Sequence, residues 1–183
     1  FDRPIDVHVS RIRAVIEDQN RQPVTRRNLL LAACVLGHRL AAVSRKGDRV
    51  GLLLPNVNGA AIAFFALLAY GRTPALLNFT AGSHGLDGAI KVGTMRTVIT
   101  SSAFVKTAKL EQVIDYLKDK VRIVYLEDVR ASLSLVDKVF GATYARWARI
   151  LHRPYRRAPD DIAAVLFTSG TEGAPKGVGL TAT

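Results

Sequence analysis

Cysteine and long apolar runs are nearly absent from this sequence. Cys34 is the only cysteine among 183 residues, so the chain forms no internal disulfide, which favours a reducing compartment. The longest apolar stretch, residues 59–70, is shorter than the ~20 residues that cross a bilayer, and the first residues do not have the form of a signal peptide. We therefore expect a soluble chain, whose 49% apolar content fills one packed domain or a large piece of one.

Histidine is scarce as well, and the spacing of the histidines indicates neither an acyltransferase motif nor a metal site. The four histidines are His8, His38, His84 and His152. None of them has an aspartate at the fifth position that follows, so the H-x-x-x-x-D acyltransferase motif is absent. No two of them have the spacing of metal ligands. The sequence therefore predicts neither a metal site nor a catalytic residue within this chain.

Acidic residues are missing from one part of a chain whose net charge is +11. Residues 138–157 contain six basic side chains and no Asp or Glu. We define the basic block as its five arginines, Arg146, Arg149, Arg153, Arg156 and Arg157. Such a block can contact an anionic lipid surface, an acidic protein or nucleic acid, or it can be a solvated face that binds nothing. No zinc, RNP or recognition-helix pattern accompanies it, so nucleic acid is not expected as a partner.

Short apolar segments alternate with segments of helical character along the chain. The segments of strand length are residues 49–54, 74–77, 96–100, 122–126 and 162–168. A long basic helical stretch, residues 133–151, precedes the last of them. This alternation predicts an α/β fold with a mostly parallel sheet and helices on both faces. Ligands of such a sheet bind at the carboxyl ends of its strands.

Apolar spacing and capping residues predict the first helices. Apolar residues recur at helical spacing through residues 5–19, which predicts an amphipathic helix. Thr25 is the expected N-cap of a second helix over residues 26–43. Asn58 is the expected N-cap of a third helix, and Gly71 is expected as the glycine that follows its end.

The last predicted strand breaks into a glycine-rich loop, which reads T-S-G-T-E-G-A-P-K-G over residues 168–177. Glycines let a backbone turn and bring its N–H groups close to a ligand, and hydroxyls and an ammonium add donors. We therefore expect a polyphosphate site formed by Thr168, Ser169, Gly170, Thr171, Glu172, Gly173 and Lys176. The alternative is a glycine-rich hairpin whose hydroxyls are incidental.

The P-loop motif G-x-x-x-x-G-K-[ST] does not fit this loop. Counted from Gly170, the required second glycine is replaced by Pro175. Lys176 is followed by Gly177, where the motif needs a hydroxyl that binds magnesium. The loop instead resembles, almost residue for residue, the phosphate-binding signature of the adenylate-forming enzymes, which include acyl-CoA synthetases and luciferases.

Other segments resemble one group within that superfamily. The stretch from Ala75 to Gly82, the run Val124 to Asp128 and the glutamate Glu172 are similar to the synthetase half of bacterial bifunctional acyl-[acyl-carrier-protein] synthetase/2-acylglycerophosphoethanolamine acyltransferases. Glu172 stands where threonine is commoner in the superfamily, so either it turns away from the phosphates or it helps to hold magnesium. The resemblance covers the amino-terminal part of the adenylation domain. We expect residues 1–183 to be a single partial domain that ends just after the phosphate loop.

The resemblance implies an ATP- and Mg²⁺-dependent ligase of the bacterial cytoplasm, on the inner side of the membrane. A fatty acid would be activated as acyl adenylate, transferred to acyl carrier protein, and passed by a linked acyltransferase to a lysophospholipid. The basic block would then face acyl carrier protein or an anionic membrane surface. The superfamily's later motifs, which bind adenine and ribose and supply a catalytic lysine, are absent, so we expect the isolated fragment to be inactive.

Two alternatives stay open. The parent protein is a fatty acyl-CoA ligase in the first, so that coenzyme A and not acyl carrier protein is the acceptor. In the second, the chain is a non-catalytic nucleotide-binding or interaction module that retains only the phosphate loop.

Overall fold

A parallel sheet forms the centre of the molecule. The computed structural model describes residues 14–17, 23–137, 139, 143, 147, 155, 158, 160–169 and 175–181. The strands in these ranges are β1 (Ala14–Glu17), β2 (Pro23–Thr25), β3 (Arg49–Leu52), β4 (Thr73–Leu76), β5 (Thr97–Thr100), β6 (Arg122–Tyr125), β7 (Ile162–Ser169) and β8 (Pro175–Thr181). The main sheet has the order β6-β5-β3-β4-β7-β8, in which β8 alone runs antiparallel. β1 and β2 form a separate antiparallel pair.

Helices cover both faces of the sheet. They are α1 (Arg26–Ala41), α2 (Asn58–Ala69), α3 (Gly82–Gly93), α4 (Ser102–Thr107), α5 (Glu111–Leu117) and α6 (Leu126–Ala131), with a 3₁₀ turn at Phe79–Ala81. On one face, α1 and α2 bury Leu40 and Leu67 against Val50 and Ile99 of the sheet. On the other face, α3 and α5 bury Leu86 and Leu117 in a second cluster. Because the central strands are covered on both sides, their sequences are mostly apolar, with polar residues only at their ends.

The α/β fold with a mostly parallel sheet is therefore confirmed. Each of the five predicted strands is present, and no strand end differs from the prediction by more than two residues. β8 was not predicted at all. It pairs with β7 along its whole length, from Pro175 opposite Ser169 to Thr181 opposite Ile162.

The helix predicted over residues 5–19 is wrong where it can be compared. Residues 14–17 form β1, in which Ala14 pairs with Thr25 and Glu17 with Pro23. Val15 and Ile16 are β-branched and favour a strand, and a pairing partner lies only a few residues away. Residues 5–13, 18 and 19 of that prediction lie outside the described residues.

The predicted helix signals had mixed outcomes. Thr25 caps α1 as expected, because its Oγ accepts a hydrogen bond from the backbone N–H of Asn28 at 3.2 Å. Gly71 follows α2 with a φ of +74°, which confirms the predicted C-terminal glycine. Asn58 is the first residue of α2, and the N-cap position belongs to Val57, so that prediction was wrong.

The single cysteine, Cys34, is fully buried in α1. Burial raises the pKa of its thiol, which disfavours the reactive thiolate.

Candidate functional site

The carboxyl edge of the sheet holds the candidate site. The parallel strands β3 to β7 all end at this edge, so the turns that follow them lie side by side. β4 neighbours β7, with Ala75 opposite Val165 and Leu76 opposite Leu166. The turn after β4, which begins at Asn78, therefore lies at the same edge as Ser169, the last residue of β7. The predicted strand that leads into the loop is present and ends at this edge, and the phosphate site itself stays a prediction.

The loop is the turn of the β7–β8 hairpin. Ser169 pairs with Pro175 and Thr168 pairs with Lys176, which leaves five residues between the two strands. The structure thus brings three of the expected phosphate ligands, Thr168, Ser169 and Lys176, to one end of the hairpin. The other four, Gly170, Thr171, Glu172 and Gly173, lie outside the described residues. The side chain of Lys176 belongs to an exposed residue at the start of β8.

Close packing against α3 supports the base of this hairpin. A Cβ atom at Gly177 would lie 3.3 Å from Phe167 Cε1 and 3.7 Å from Val92 Cγ1. A Cβ atom at Gly93 would lie 3.2 Å from Phe167 Cζ. The phenylalanine ring therefore lies between the helix end and β8, where only small residues fit. This packing holds the hairpin against the helix that follows β4.

The neighbouring turn after β4 is fixed by its own hydrogen bonds. The Asn78 side chain accepts bonds from the backbone N–H of Thr80 at 3.0 Å and from its hydroxyl at 2.8 Å. Phe79 packs edge-to-face on Phe104 of α4, with ring centroids 5.2 Å apart. The side-chain amide therefore caps the 3₁₀ turn, as Asn does in tight turns.

Glu127 joins two further turns at this edge, and sequence reasoning gave it no role. Its Oε1 accepts a hydrogen bond from Ser101 Oγ at 2.6 Å and one from the N–H of Ala103 at 3.3 Å. Its Oε2 accepts from the N–H of Ser102 at 3.1 Å. The carboxylate at the start of α6 thus caps α4. The only local signal is Ser101, a typical N-cap residue at the end of a strand.

An apolar cavity of about 610 Å³ opens at the same edge, between α1, α2 and α6. The chain leaves β3 towards β4 on one side and leaves β5 towards β6 on the other side, and the cavity lies between these two connections. Ligands of α/β sheets bind at such a point. Leu31, Val35, Leu54, Ile62 and Leu126 supply much of its lining. Such a lining suits an apolar group and not a polyphosphate, so the hairpin turn is the better anion site.

A family model for AMP-binding enzymes matches residues 2–183, which is nearly the whole chain. The chain belongs to the AMP-binding enzyme family. Curated members of the family that it resembles include 4-coumarate–CoA ligase 1 of Petroselinum crispum, with 27% identity over 138 residues. The medium-chain fatty-acid–CoA ligase of Escherichia coli strain K12 is 28% identical over 156 residues, and the long-chain-fatty-acid–CoA ligase of Bacillus subtilis strain 168 is 29% identical over 156 residues.

The chain corresponds to only part of these AMP-binding enzymes. The three alignments cover 75%, 82% and 75% of this chain but 24%, 26% and 28% of the respective relatives. The fold agrees with that of o-succinylbenzoate coenzyme A synthetase from Bacillus subtilis in complex with AMP, at a TM-score of 0.70 and 23% identity. That superposition covers 93% of this chain and 39% of the synthetase.

The basic block lies in a part of the chain that the structure describes only at scattered positions. Its five arginines lie outside the described residues, and most of the predicted helical stretch 133–151 does too. Residues 135–137, 139 and 143 are helical, which agrees with the predicted helical stretch. Among the described residues, no helix combines the length and apolarity needed to cross a membrane.

Removal of the Glu127 charge should destabilise the protein in a pH-dependent way. Burial alone would raise the pKa of Glu127, but hydrogen bonds from the Ser101 hydroxyl and from the backbone N–H groups of Glu127, Ser102 and Ala103 lower it to about 2. Because the folded pKa lies below the unfolded value, the stabilisation is complete above about pH 5 and is lost as the pH falls towards 2. After allowance for solvent screening at an exposed residue, we expect Glu127→Gln to cost about 1 kcal/mol at pH 7.

Denaturant unfolding at pH 7 and pH 3 measures this effect. The difference between wild type and Glu127→Gln should shrink at pH 3, where the unfolded state already binds the proton. Glu111→Gln, an exposed glutamate in the first turn of α5, is the matched control and should change stability by less than about 0.5 kcal/mol. An equal effect of the two variants at pH 7 would show that Glu127 does not clamp the turns.

Proposed function

We propose that this chain supplies the triphosphate-binding part of an ATP-dependent fatty acyl ligase. The observation that carries the proposal is the β7–β8 hairpin, in which β7 ends and β8 begins at the carboxyl edge of the parallel sheet and Thr168 pairs with Lys176. The turn has the sequence of the phosphate-binding signature of adenylate-forming enzymes. Membership of the AMP-binding enzyme family supports this assignment.

The residues present fit a triphosphate. The turn offers backbone N–H groups, the hydroxyls of Thr168, Ser169 and Thr171, and the ammonium of Lys176, and all of these are donors to an anion. Among the described residues, no group of three or more acidic, histidine or cysteine side chains could hold a metal ion. Mg²⁺ would be held mainly by the phosphates, and Glu172 would either turn away from them or help to hold the metal.

The proposed role of the loop is to position charge. In the first step a fatty acid carboxylate oxygen forms a bond to the α-phosphorus of ATP, and the bond from that phosphorus to the bridging oxygen breaks. Negative charge then moves onto the leaving pyrophosphate. Lys176 and the N–H and hydroxyl donors of the turn would stabilise the β- and γ-phosphates as this charge develops. Lys176 and the donors of the turn transfer no proton and form no covalent bond in this step.

Acyl carrier protein is the proposed acceptor of the acyl group. The phosphopantetheine thiol of acyl carrier protein would attack the carbonyl carbon of the acyl adenylate. A thioester would form, and AMP would leave. A linked acyltransferase on the cytoplasmic side of the bacterial inner membrane would then pass the acyl group to a lysophospholipid. The resemblance of residues 75–82 and 124–128 supports this, and the basic block suits an acidic partner. Coenzyme A is the second candidate acceptor, favoured by the fatty-acid–CoA ligases among the relatives.

Exchange of labelled pyrophosphate into ATP in the presence of a fatty acid tests the ligase in the complete protein that carries this chain. Lys176→Ala should slow the exchange by about 10²-fold or more, since one lost donor to developing charge has that effect. Lys118→Ala removes a surface lysine paired with Asp115 and should leave the rate unchanged. Absence of fatty-acid-dependent exchange would refute the ligase, and full activity of Lys176→Ala would refute the role of the loop.

The chain by itself is proposed to be a single partial domain, the amino-terminal portion of an adenylation domain. Its phosphate loop makes only part of the contacts that a nucleotide needs, so ATP should bind weakly and no acyl adenylate should form. Turnover by the purified chain would contradict this proposal.

A further inference from the structure

The apolar cavity between α1, α2 and α6 is large enough for one alkyl chain. Its volume is about 610 Å³, which lies within the range of roughly 300–1,000 Å³ that is typical of small-molecule sites. A water molecule, which is similar in size to a methylene group, takes up ~30 Å³, so the cavity holds on the order of 20 non-hydrogen atoms. A single fatty acid therefore fits, whereas a phospholipid with two chains does not.

The walls of the cavity are aliphatic. Leu31 and Val35 come from α1, Ile62 from α2 and Leu126 from α6. The lining that the structure describes contains no aromatic ring on which a nucleobase or an aryl group could stack. Most of these aliphatic side chains are only half-buried, so a ligand would remove further apolar surface from water. Such walls suit a flexible alkyl chain.

Polar side chains mark the opening of the cavity. Asn28 of α1 and Glu127 and Arg130 of α6 line it and are exposed. The aliphatic residues of the lining, in contrast, are all buried or half-buried. The cavity therefore has an apolar interior and a polar rim, which is the pattern that an amphiphile with one polar end requires.

The charges at the rim indicate which polar end fits. Both carboxylate oxygens of Glu127 already accept hydrogen bonds, from the Ser101 hydroxyl and from the N–H groups of Ser102 and Ala103. Arg130 is the one positively charged residue among the lining residues that the structure describes. Its planar guanidinium can donate two parallel hydrogen bonds to a carboxylate. A chain that ends in a carboxylate is therefore complementary to this rim.

The rim is separate from the phosphate loop. Ser101 follows β5 and Glu127 follows β6, whereas the loop follows β7. In the strand order β6-β5-β3-β4-β7, three spacings of ~4.8 Å separate β5 from β7, which amounts to ~14 Å. Reacting atoms must approach to about 3–3.5 Å. A carboxylate held by Arg130 is therefore too distant to attack a phosphate bound at the hairpin.

We propose that this cavity is a binding site for a free fatty acid, with the alkyl chain inside and the carboxylate paired with Arg130. The site holds its ligand apart from the place where adenylation is proposed. It rests on the proposed function for the choice of a carboxylate, and it deepens that function by assigning a second place to the same class of molecule. Binding is measured without ATP, so its failure would leave the ligase proposal intact.

Displacement of cis-parinaric acid from the 183-residue chain measures this binding. This linear fatty acid fluoresces more strongly in an apolar environment, and one molecule should bind per chain. Saturated fatty acids from hexanoate to hexadecanoate should displace it. Each added methylene should lower the dissociation constant by up to roughly fourfold until the chain fills the cavity.

Arg130→Gln tests the contact with the carboxylate. At low ionic strength this variant should bind decanoate about fivefold more weakly than wild type does, since one exposed charge pair is lost. The affinity for decanol, which has the same chain and no charge, should be unchanged. An equal loss for decanoate and decanol, or no loss for either, would refute the pairing with Arg130.

Ala60→Phe tests the location of the chain. Ala60 lines the cavity from α2, so a phenylalanine ring there would occupy the space of the ligand and should weaken binding of cis-parinaric acid by about tenfold or more. Ala42→Phe, at an exposed alanine beyond the other end of α1, is the matched control and should bind like wild type. Circular dichroism and the melting temperature check that both variants are folded, which is expected because neither alanine is fully buried.

Two further results would overturn the proposal. The first is the absence of any fluorescence increase when cis-parinaric acid is added to the wild-type chain. The second is equal binding of cis-parinaric acid by wild type and by folded Ala60→Phe, which would place the probe elsewhere on the surface.

Discussion

Arg72→Met should destabilise the protein by about 3 kcal/mol, one of the two largest stability effects expected here. Arg72 is 5% exposed, and its guanidinium donates to backbone carbonyls and to one hydroxyl. Its Nη1 donates to the carbonyl of Tyr70, its Nη2 to those of Ala41 and Ser44, and its Nε to Ser44 Oγ. Burial lowers the pKa of this guanidinium, because the loss of water destabilises its charge. The hydrogen bonds to the carbonyl oxygens offset this cost.

The acceptors explain the size of the effect. Ala41 is the last residue of α1, so the carbonyls that Arg72 contacts include ones that a helix end leaves without partners. The negative end of the helix dipole also favours a cation there. Methionine would fill a similar volume but would leave the buried carbonyls of Tyr70 and Ser44, and the partly buried carbonyl of Ala41, without this donor, at about 1–3 kcal/mol each before water enters.

Chemical unfolding of Arg72→Met measures the loss. Arg122→Met, at an exposed position on the edge strand β6, is the matched control and should change stability by less than about 0.5 kcal/mol. Arg72→Lys should lie between wild type and Arg72→Met, since an ammonium cannot reach the same set of acceptors. A loss below about 1 kcal/mol for Arg72→Met would mean that water replaces the guanidinium at little cost.

Gly37→Ala should also destabilise the protein, although alanine is the better helix former. Gly37 lies inside α1, and a Cβ atom there would be 2.4 Å from Tyr70 Cδ2 and 2.8 Å from the carbonyl oxygen of Ala66. The ring cannot easily move away, because Tyr70 is 3% exposed and its hydroxyl donates to the Cys34 carbonyl at 3.0 Å. We expect a net loss of about 2 kcal/mol, and a larger loss for Gly37→Val.

A second helical glycine gives the opposite expectation. Gly59 in α2 has only Val57 Cγ2 near its missing Cβ, at 4.0 Å. Gly59→Ala should therefore stabilise the protein by up to about 1 kcal/mol through helix propensity. The melting temperatures of the two alanine variants should move in opposite directions. A stabilised Gly37→Ala would show that α1 and α2 can separate to admit a methyl group.

Local signals were enough for much of the fold. Thr25 capped its helix and Gly71 followed its helix as expected, since caps and turns depend on residues a few positions apart. β8 was missed because Pro175, Gly177 and Gly179 are poor strand residues by propensity. Its strand conformation comes from pairing with β7, which is a tertiary effect.

Contacts between distant residues could not be predicted. The Glu127 clamp joins residues 24 to 26 positions apart, and Arg72 contacts Ser44, 28 positions away. Nothing in the spacing of a single sequence indicates such partners. The phosphate loop could be predicted because its ten residues are contiguous and carry their own chemistry, and the structure places the flanking residues Ser169 and Pro175 at the carboxyl edge of the sheet.

The position of β7 in the sheet has a consequence for the order of folding. β3, β4, β5 and β6 can pair as the chain between residues 49 and 125 is synthesised, but β7 joins β4 across about 90 positions. That junction has only two registered pairs, whereas β7 and β8 share seven. The hairpin should therefore form as a unit and dock late, as a small cooperative segment with its own opening free energy. The candidate nucleotide site is then the last part of this sheet to be assembled.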